Sequence, residues 1–167
     1  MTLGKDGTPG GDAENADVLA GTVAPNLGGS GGFEGMAINP QGDRLYTLLE
    51  KSVTGDPAGS LRINEFSIDS EAYTDQQWLY RLDPSGTAIG DMVAINDHEF
   101  IVIERNGATA TSGTPFKKLF KINLKEVDEQ GFVDKAERVA LTSEGVHADA
   151  SPAWSPDGRT AAVTGTP

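Results

Sequence analysis

A strand, a tight turn and a second strand occur twice in this chain, and that repeat constrains the fold more than any other feature. Gly32-Phe33-Glu34-Gly35-Met36-Ala37-Ile38-Asn39 leads through Asn39-Pro40-Gln41-Gly42 into Leu45-Tyr46-Thr47-Leu48-Leu49-Glu50-Lys51. Ile89-Gly90-Asp91-Met92-Val93-Ala94-Ile95-Asn96 repeats the first half, and Phe100-Ile101-Val102-Ile103-Glu104-Arg105 repeats the second. Short apolar runs of β-branched and aromatic residues bounded by Asn, Pro and Gly read as hairpins. Aligning the two Ala-Ile-Asn runs sets Glu34 against Asp91. Closing the shorter second turn sets Glu50-Lys51 against Glu104-Arg105.

Around these hairpins the spacing predicts four strands per unit. The first unit holds 33–38, 44–50, 62–68 and 76–82. The second holds 89–95, 100–104, 119–124 and roughly 138–141. Residues 125–136 are charged and read as a loop or a short helical turn. Pro152-Ala153-Trp154-Ser155-Pro156-Asp157-Gly158-Arg159 then opens a third hairpin. Four short antiparallel strands recurring about every 50 to 60 residues are the signature of propeller blades. The expected fold is therefore all-β, a partial β-propeller of two four-stranded blades (32–86 and 87–142) and the first hairpin of a third (148–167). Residues 1–31, rich in Gly, Asp, Asn and Pro, read as a flexible arm. An isolated blade leaves apolar faces open, and a ring usually needs roughly four to eight blades. The remaining blades are expected from a longer chain or from other subunits.

Charge and composition narrow the partners. Asp and Glu number 25 against 13 Lys and Arg, so no basic stripe for nucleic acid is expected. No apolar run approaches the roughly 20 residues of a membrane helix. The absence of cysteine excludes disulfides, thiolate metal sites and a Cys nucleophile. No Gly-x-Ser-x-Gly elbow is present, which argues against a serine hydrolase of that type.

Phe33 to Pro40, Leu45 to Glu50, Leu61-Arg62-Ile63-Asn64-Glu65-Phe66, Trp78-Leu79-Tyr80-Arg81-Leu82, Ala88-Ile89-Gly90-Asp91 and Phe100 to Arg105, taken as an ordered series, resemble the phytase-like esterase family. The resemblance covers about residues 32 to 124. It implies a propeller, often exported from bacteria (secreted or periplasmic), that hydrolyses phosphate or other esters. The later hairpin at Pro152–Arg159 resembles TolB-type propeller repeats, which speak to fold only.

Strand direction says where chemistry would sit. First-strand starts and second-strand ends share one rim, so Glu34, Asp91, Glu50 and Glu104 are expected to gather near the axis with Lys51 and Arg105. Clustered carboxylates repel unless a cation intervenes, and hard oxygen donors favour Ca²⁺ or Mg²⁺. The expected metal ligands are Glu34, Asp91, Glu50 and Glu104. Glu34, Asp91 and Arg105 are the expected catalytic residues, and Lys51 and Arg105 would hold a small phosphate or ester substrate. The structural alternative is that Glu50-Lys51 and Glu104-Arg105 make ion pairs between blades, and that Glu34 accepts backbone N–H bonds. Functional alternatives are a non-catalytic binding platform and a lactonase-like calcium hydrolase.

Overall fold

The computed structural model describes residues 31–109 and 111–140, with 22, 26, 27 and the short strand pairs at 147–148, 153–154, 161–162 and 165–166. Most of the expected arm, including Asp6, Asp12, Glu14 and Asp17, lies outside the described residues. So do the turn of the third hairpin and the side chains of His147 and Trp154.

Two antiparallel four-stranded sheets dominate. The first runs in chain order through β1 (Phe33–Ile38), β2 (Arg44–Leu49), β3 (Ser60–Ser67) and β4 (Ala72–Arg81). The second runs likewise through β5 (Ala88–Ala94), β6 (Glu99–Arg105), β7 (Lys117–Val127) and β8 (Val133–Ala140). Four short strands follow: β9 (His147–Ala148), β10 (Ala153–Trp154), β11 (Ala161–Ala162) and β12 (Gly165–Thr166). β10 pairs with β11 and β9 with β12. All described regular structure is β, and two blade-like meanders followed by a hairpin are consistent with part of a propeller.

The turns follow from side-chain chemistry. Asn39 Oδ1 accepts the N–H groups of Asp43 and Arg44 at 3.1 and 3.0 Å. Asn96 Oδ1 does the same for His98 and Glu99 at 3.0 and 2.9 Å. A short amide side chain that satisfies turn donors favours this conformation over continued strand. One expectation fails at 125–136. β7 continues to Val127, and β8 begins at Val133 rather than near Arg138. Asp128 Oδ1 takes the N–H groups of Gln130 and Phe132, both at 2.9 Å, which builds a compact turn. The charged run reads as loop because its side chains lie largely on an outer, exposed edge.

Between the sheets lies the core. Leu48, Leu61, Ile63 and Tyr80 meet Ile89, Met92, Phe100, Val102 and Ile122, each no more than 1% exposed. Trp78 packs beside them, with Tyr46 edge-on to Phe100. The inner strands approach closely at Gly35, where an added Cβ would stand 3.1 Å from Met92 Cβ and 3.2 Å from Leu48 Cβ.

The outward faces differ. On the second sheet, Ile101, Ile103 and Leu119 are buried with Val93 and Ile95 against them. On the first sheet, Met36 is 60% exposed and Ile38 52%. Met36 is the register equivalent of Met92, which is 1% exposed. Met92 packs on the first sheet, whereas no described sheet covers Met36.

At the rim of the Asn96 turn, Glu99 receives bonds from the Lys121 ammonium and from Asn96 Nδ2. These hold its carboxyl below the ordinary carboxylate range. A depressed folded value means the contribution is present above the unfolded value and fades as pH falls through the folded one. Wild type is therefore expected to exceed Glu99→Gln in stability at pH 7, with the gap closing below about pH 4.5. Denaturant titrations at pH 7 and pH 3.5 check this. A gap independent of pH would show that the pair contributes nothing electrostatic.

Candidate functional site

Antiparallel order brings the start of β1, the end of β2, the start of β5 and the end of β6 to one rim. Backbone bonds close both hairpins there, Glu50 N to Gly32 O at 2.8 Å and Thr87 N to Arg105 O at 3.0 Å. Arg105 Nη2 then crosses from the second sheet to the first and donates to Glu50 Oε1 at 3.0 Å. Of the six residues expected at this rim, Glu50 and Arg105 are the two joined by a direct bond.

The ladder register explains the pairing. In the first sheet Phe33 lies opposite Leu49 and Gly35 opposite Leu48, so Glu34 is the extra residue of a β-bulge. In the second, Ile89 lies opposite Glu104 and Asp91 opposite Ile103, so the bulge residue is Gly90. Glu34 therefore matches Gly90, Asp91 matches Gly35, Leu49 matches Glu104, and Glu50 matches Arg105. The alignment of Glu34 with Asp91 and of Glu50 with Glu104 is off by one residue. In a strand, one residue exchanges the two faces.

Consequences differ for each acid. Glu34 is exposed. Asp91 is half-buried opposite Ile103, on the face of the second sheet turned away from the first. Glu50 is neutralised by Arg105. Glu104, expected as a metal ligand, is fully buried between the sheets. Tyr80 Oη donates to its Oε2 at 2.5 Å and the Asp83 N–H to its Oε1 at 2.6 Å. Lys135 Nζ donates to Oε2 at 2.5 Å and to Arg81 O at 2.7 Å. The same ammonium stands 3.8 Å from the Phe120 ring centre and 4.5 Å from that of Tyr80. Burial, reinforced by Glu104, pushes the Tyr80 hydroxyl well above its ordinary range. Burial also pulls Lys135 down, against the opposing pull of Glu104.

This network is the part of the arrangement that the sequence reading missed. Its signal was the alternation Val133, Lys135 with both side chains turned inward, hidden inside a run read as loop. An open cleft of about 840 Å³ runs along the outer strands beside it, lined by Arg81, Phe120, Phe132 and Lys135 among others. The Arg81 guanidinium stacks on Phe132 at 3.5 Å.

The fit to calcium follows from these positions. Among the described residues, no three Asp, Glu or His side chains are grouped as a cation would require. Two of the four expected ligands already have cationic partners, and Glu104 is inside the core. The described donor set does not fit a calcium centre.

A family model described as "Phytase-like: Esterase-like activity of phytase" matches residues 3–159. The chain belongs to the phytase-like family. No curated protein and no solved structure gives a significant match. Arg105 is about one-third exposed and uses one nitrogen on Glu50, and Lys51 is exposed. Among the described residues no helix is long and apolar enough to cross a membrane.

Proposed function

We propose that this phytase-like chain is part of a hydrolase of phosphate or other esters, acting at the rim where the first and second sheets meet. The observation that carries the reading is the family match across residues 3–159. The bond from Arg105 to Glu50 supports the choice of rim, because it sets a guanidinium at the mouth between two sheets. Arg105 would hold an anionic or developing-anionic oxygen of the ester, since charge-assisted donors are strong where water is partly excluded. Lys51 would add a second positive charge. Glu34, exposed at the bulge, is the candidate base that takes a proton from the attacking water. Asp91, on the face turned from the first sheet, would act separately from Glu34.

Export belongs to this proposal as an expectation from the sequence.

The test is turnover of p-nitrophenyl acetate and p-nitrophenyl phosphate by the purified protein, with EDTA and with added calcium as separate arms. Turnover is expected, with Arg105→Gln lowering kcat/KM about tenfold while the fold persists. Absence of turnover above buffer for both esters would leave the binding-platform reading in its place. A calcium-dependent rate would call for donors from outside the described residues.

A further inference from the structure

We infer that the outer face of the first sheet is a docking surface for a further antiparallel sheet of this same repeat, one that carries glycine at the place of Gly35. The ladders show which residues correspond. Phe33, Met36, Ile38, Phe66 and Tyr73 in the first sheet hold the positions of Ile89, Met92, Ala94, Ile122 and Lys135 in the second. Those five residues of the second sheet are turned toward the first, with Ile89, Met92 and Ile122 at most 1% exposed. Their counterparts are largely uncovered. Met36 is 60% exposed and Ile38 52%, and Phe66 and Tyr73 are half-buried, edge to face at 5.3 Å. At the rim end the chain covers itself, with Val53 and Leu27 against Leu49 and Phe33. Asn64, on the same face beside Thr47, has its Nδ2 buried with no hydrogen-bond partner among the described residues. A contiguous apolar face of this kind marks an interaction site, and a buried donor without an acceptor is costly to keep.

The interface already present between the two sheets says what such a face accepts. Met92 lies over Gly35, where an added Cβ would stand 3.1 Å from Met92 Cβ. Met36 has the same place in its own sheet, and so needs a glycine from the sheet that covers it. The second sheet has Asp91 at the position of Gly35, and its outer residues Ile101, Ile103 and Leu119 are already buried. A second copy of the chain approaching through that sheet is therefore the wrong partner. The polar requirement differs too. Leu49 and Tyr73 stand where the second sheet has Glu104 and Lys135. The incoming sheet thus brings apolar groups to the place where Tyr80 and the Asp83 N–H serve Glu104. One acceptor on it would complete Asn64.

The experiment duplicates the first unit within the full chain. Residues 1–87 run directly into 32–167, so that Thr87 of the added unit meets Gly32 as it meets Ala88 in the natural chain. The added unit carries Met36→Leu, which leaves one Met36 to follow, and Tyr80→Phe, because Leu49 offers no acceptor. Oxidation of Met36 to the sulfoxide by hydrogen peroxide is read by mass spectrometry, with Met92 as the buried reference. In the natural chain Met36 is expected to oxidise at least about tenfold faster than Met92 at every protein concentration. In the duplicated chain its rate should fall close to that of Met92, and Gly35→Asp in the added unit should restore it. Met36 that stays as reactive as in the natural chain overturns the inference, and so does protection that survives Gly35→Asp. Protection of Met36 in the dilute natural chain overturns it as well. Protection there that grows with concentration, with a doubled mass in sedimentation, overturns the choice of partner in favour of a second copy. None of these readouts depends on ester turnover.

Discussion

Replacing Glu104 with leucine is expected to be the most damaging single change in the described structure. The carboxylate is fully buried and accepts bonds from Tyr80, the Asp83 backbone and Lys135. Leucine is what the first sheet carries at the matching position, Leu49, so the shape of the site is tolerated. What is not tolerated is the remaining ammonium. Removing one partner of a buried pair strands the other charge and costs about 3–5 kcal/mol. In a chain of this size that lowers the unfolding midpoint by roughly 10 °C. Adding Lys135→Met should recover a large part of the loss, because a buried pair replaced by apolar groups is often close to neutral. Recovery should be incomplete, since Tyr80 and the Asp83 N–H still lose their acceptor. Thermal or urea unfolding of the two single variants and the double variant measures this. If Glu104→Leu alone stays within about 0.5 kcal/mol of wild type, the network is not what holds the two sheets together.

Gly86→Ala should be nearly as severe, for a different reason. The glycine closes the turn after β4, with its N–H on Asp83 O at 2.9 Å. Its φ lies outside the left-handed region, so alanine's torsional preference is not the difficulty. Space is. A Cβ there would stand 2.0 Å from Glu104 Oε1 and 2.8 Å from its Cδ. Both the carboxylate and the Gly86 turn are held by bonds, so neither can yield cheaply. Overpacking of this kind costs about 1–3 kcal/mol, and displacing Oε1 from the Asp83 N–H adds about another 1–3 kcal/mol. The diagnostic is coupling. In a Glu104→Ala background the clash partner is gone, so the same Gly86 change should cost little. Strict additivity of the two variants would rule out the contact as the cause.

These two predictions concern residues of unequal legibility. The strand–turn–strand units, the all-β class and most strand positions were readable because they depend on local chemistry. Asn39 and Asn96 satisfy turn donors within four or five residues of themselves, and alternation marks which residues face inward. A third hairpin was also expected from the sequence, and β10 and β11 do pair. The start of β8 was not, because an edge strand with one exposed side looks like a polar loop until something packs on it. Glu104 looked like Glu50 in sequence, since each precedes a base at the end of an apolar run. Their fates diverge: one is exchanged for Leu49 in the register, and the other meets Arg105.

By itself, then, the chain's order of residues determined two homologous hairpin units and the rim to which the acids Glu34, Glu50 and Asp91 belong. Tertiary structure decided which of the acids stay exposed and which are paired or buried. The Asn-anchored turns align on Ala-Ile-Asn, but β5 runs one residue further than β1 before its turn, and the second turn is one residue shorter. Register is set by the bulges at Glu34 and Gly90 and by burial of Met92 and Ile89 against the first sheet. Because side chains alternate across a strand, that single-residue difference sends Glu104 into the core, leaves Asp91 on the far face, and pairs Glu50 with Arg105. Such an offset depends on what packs across the two sheets, and so no local pattern records it.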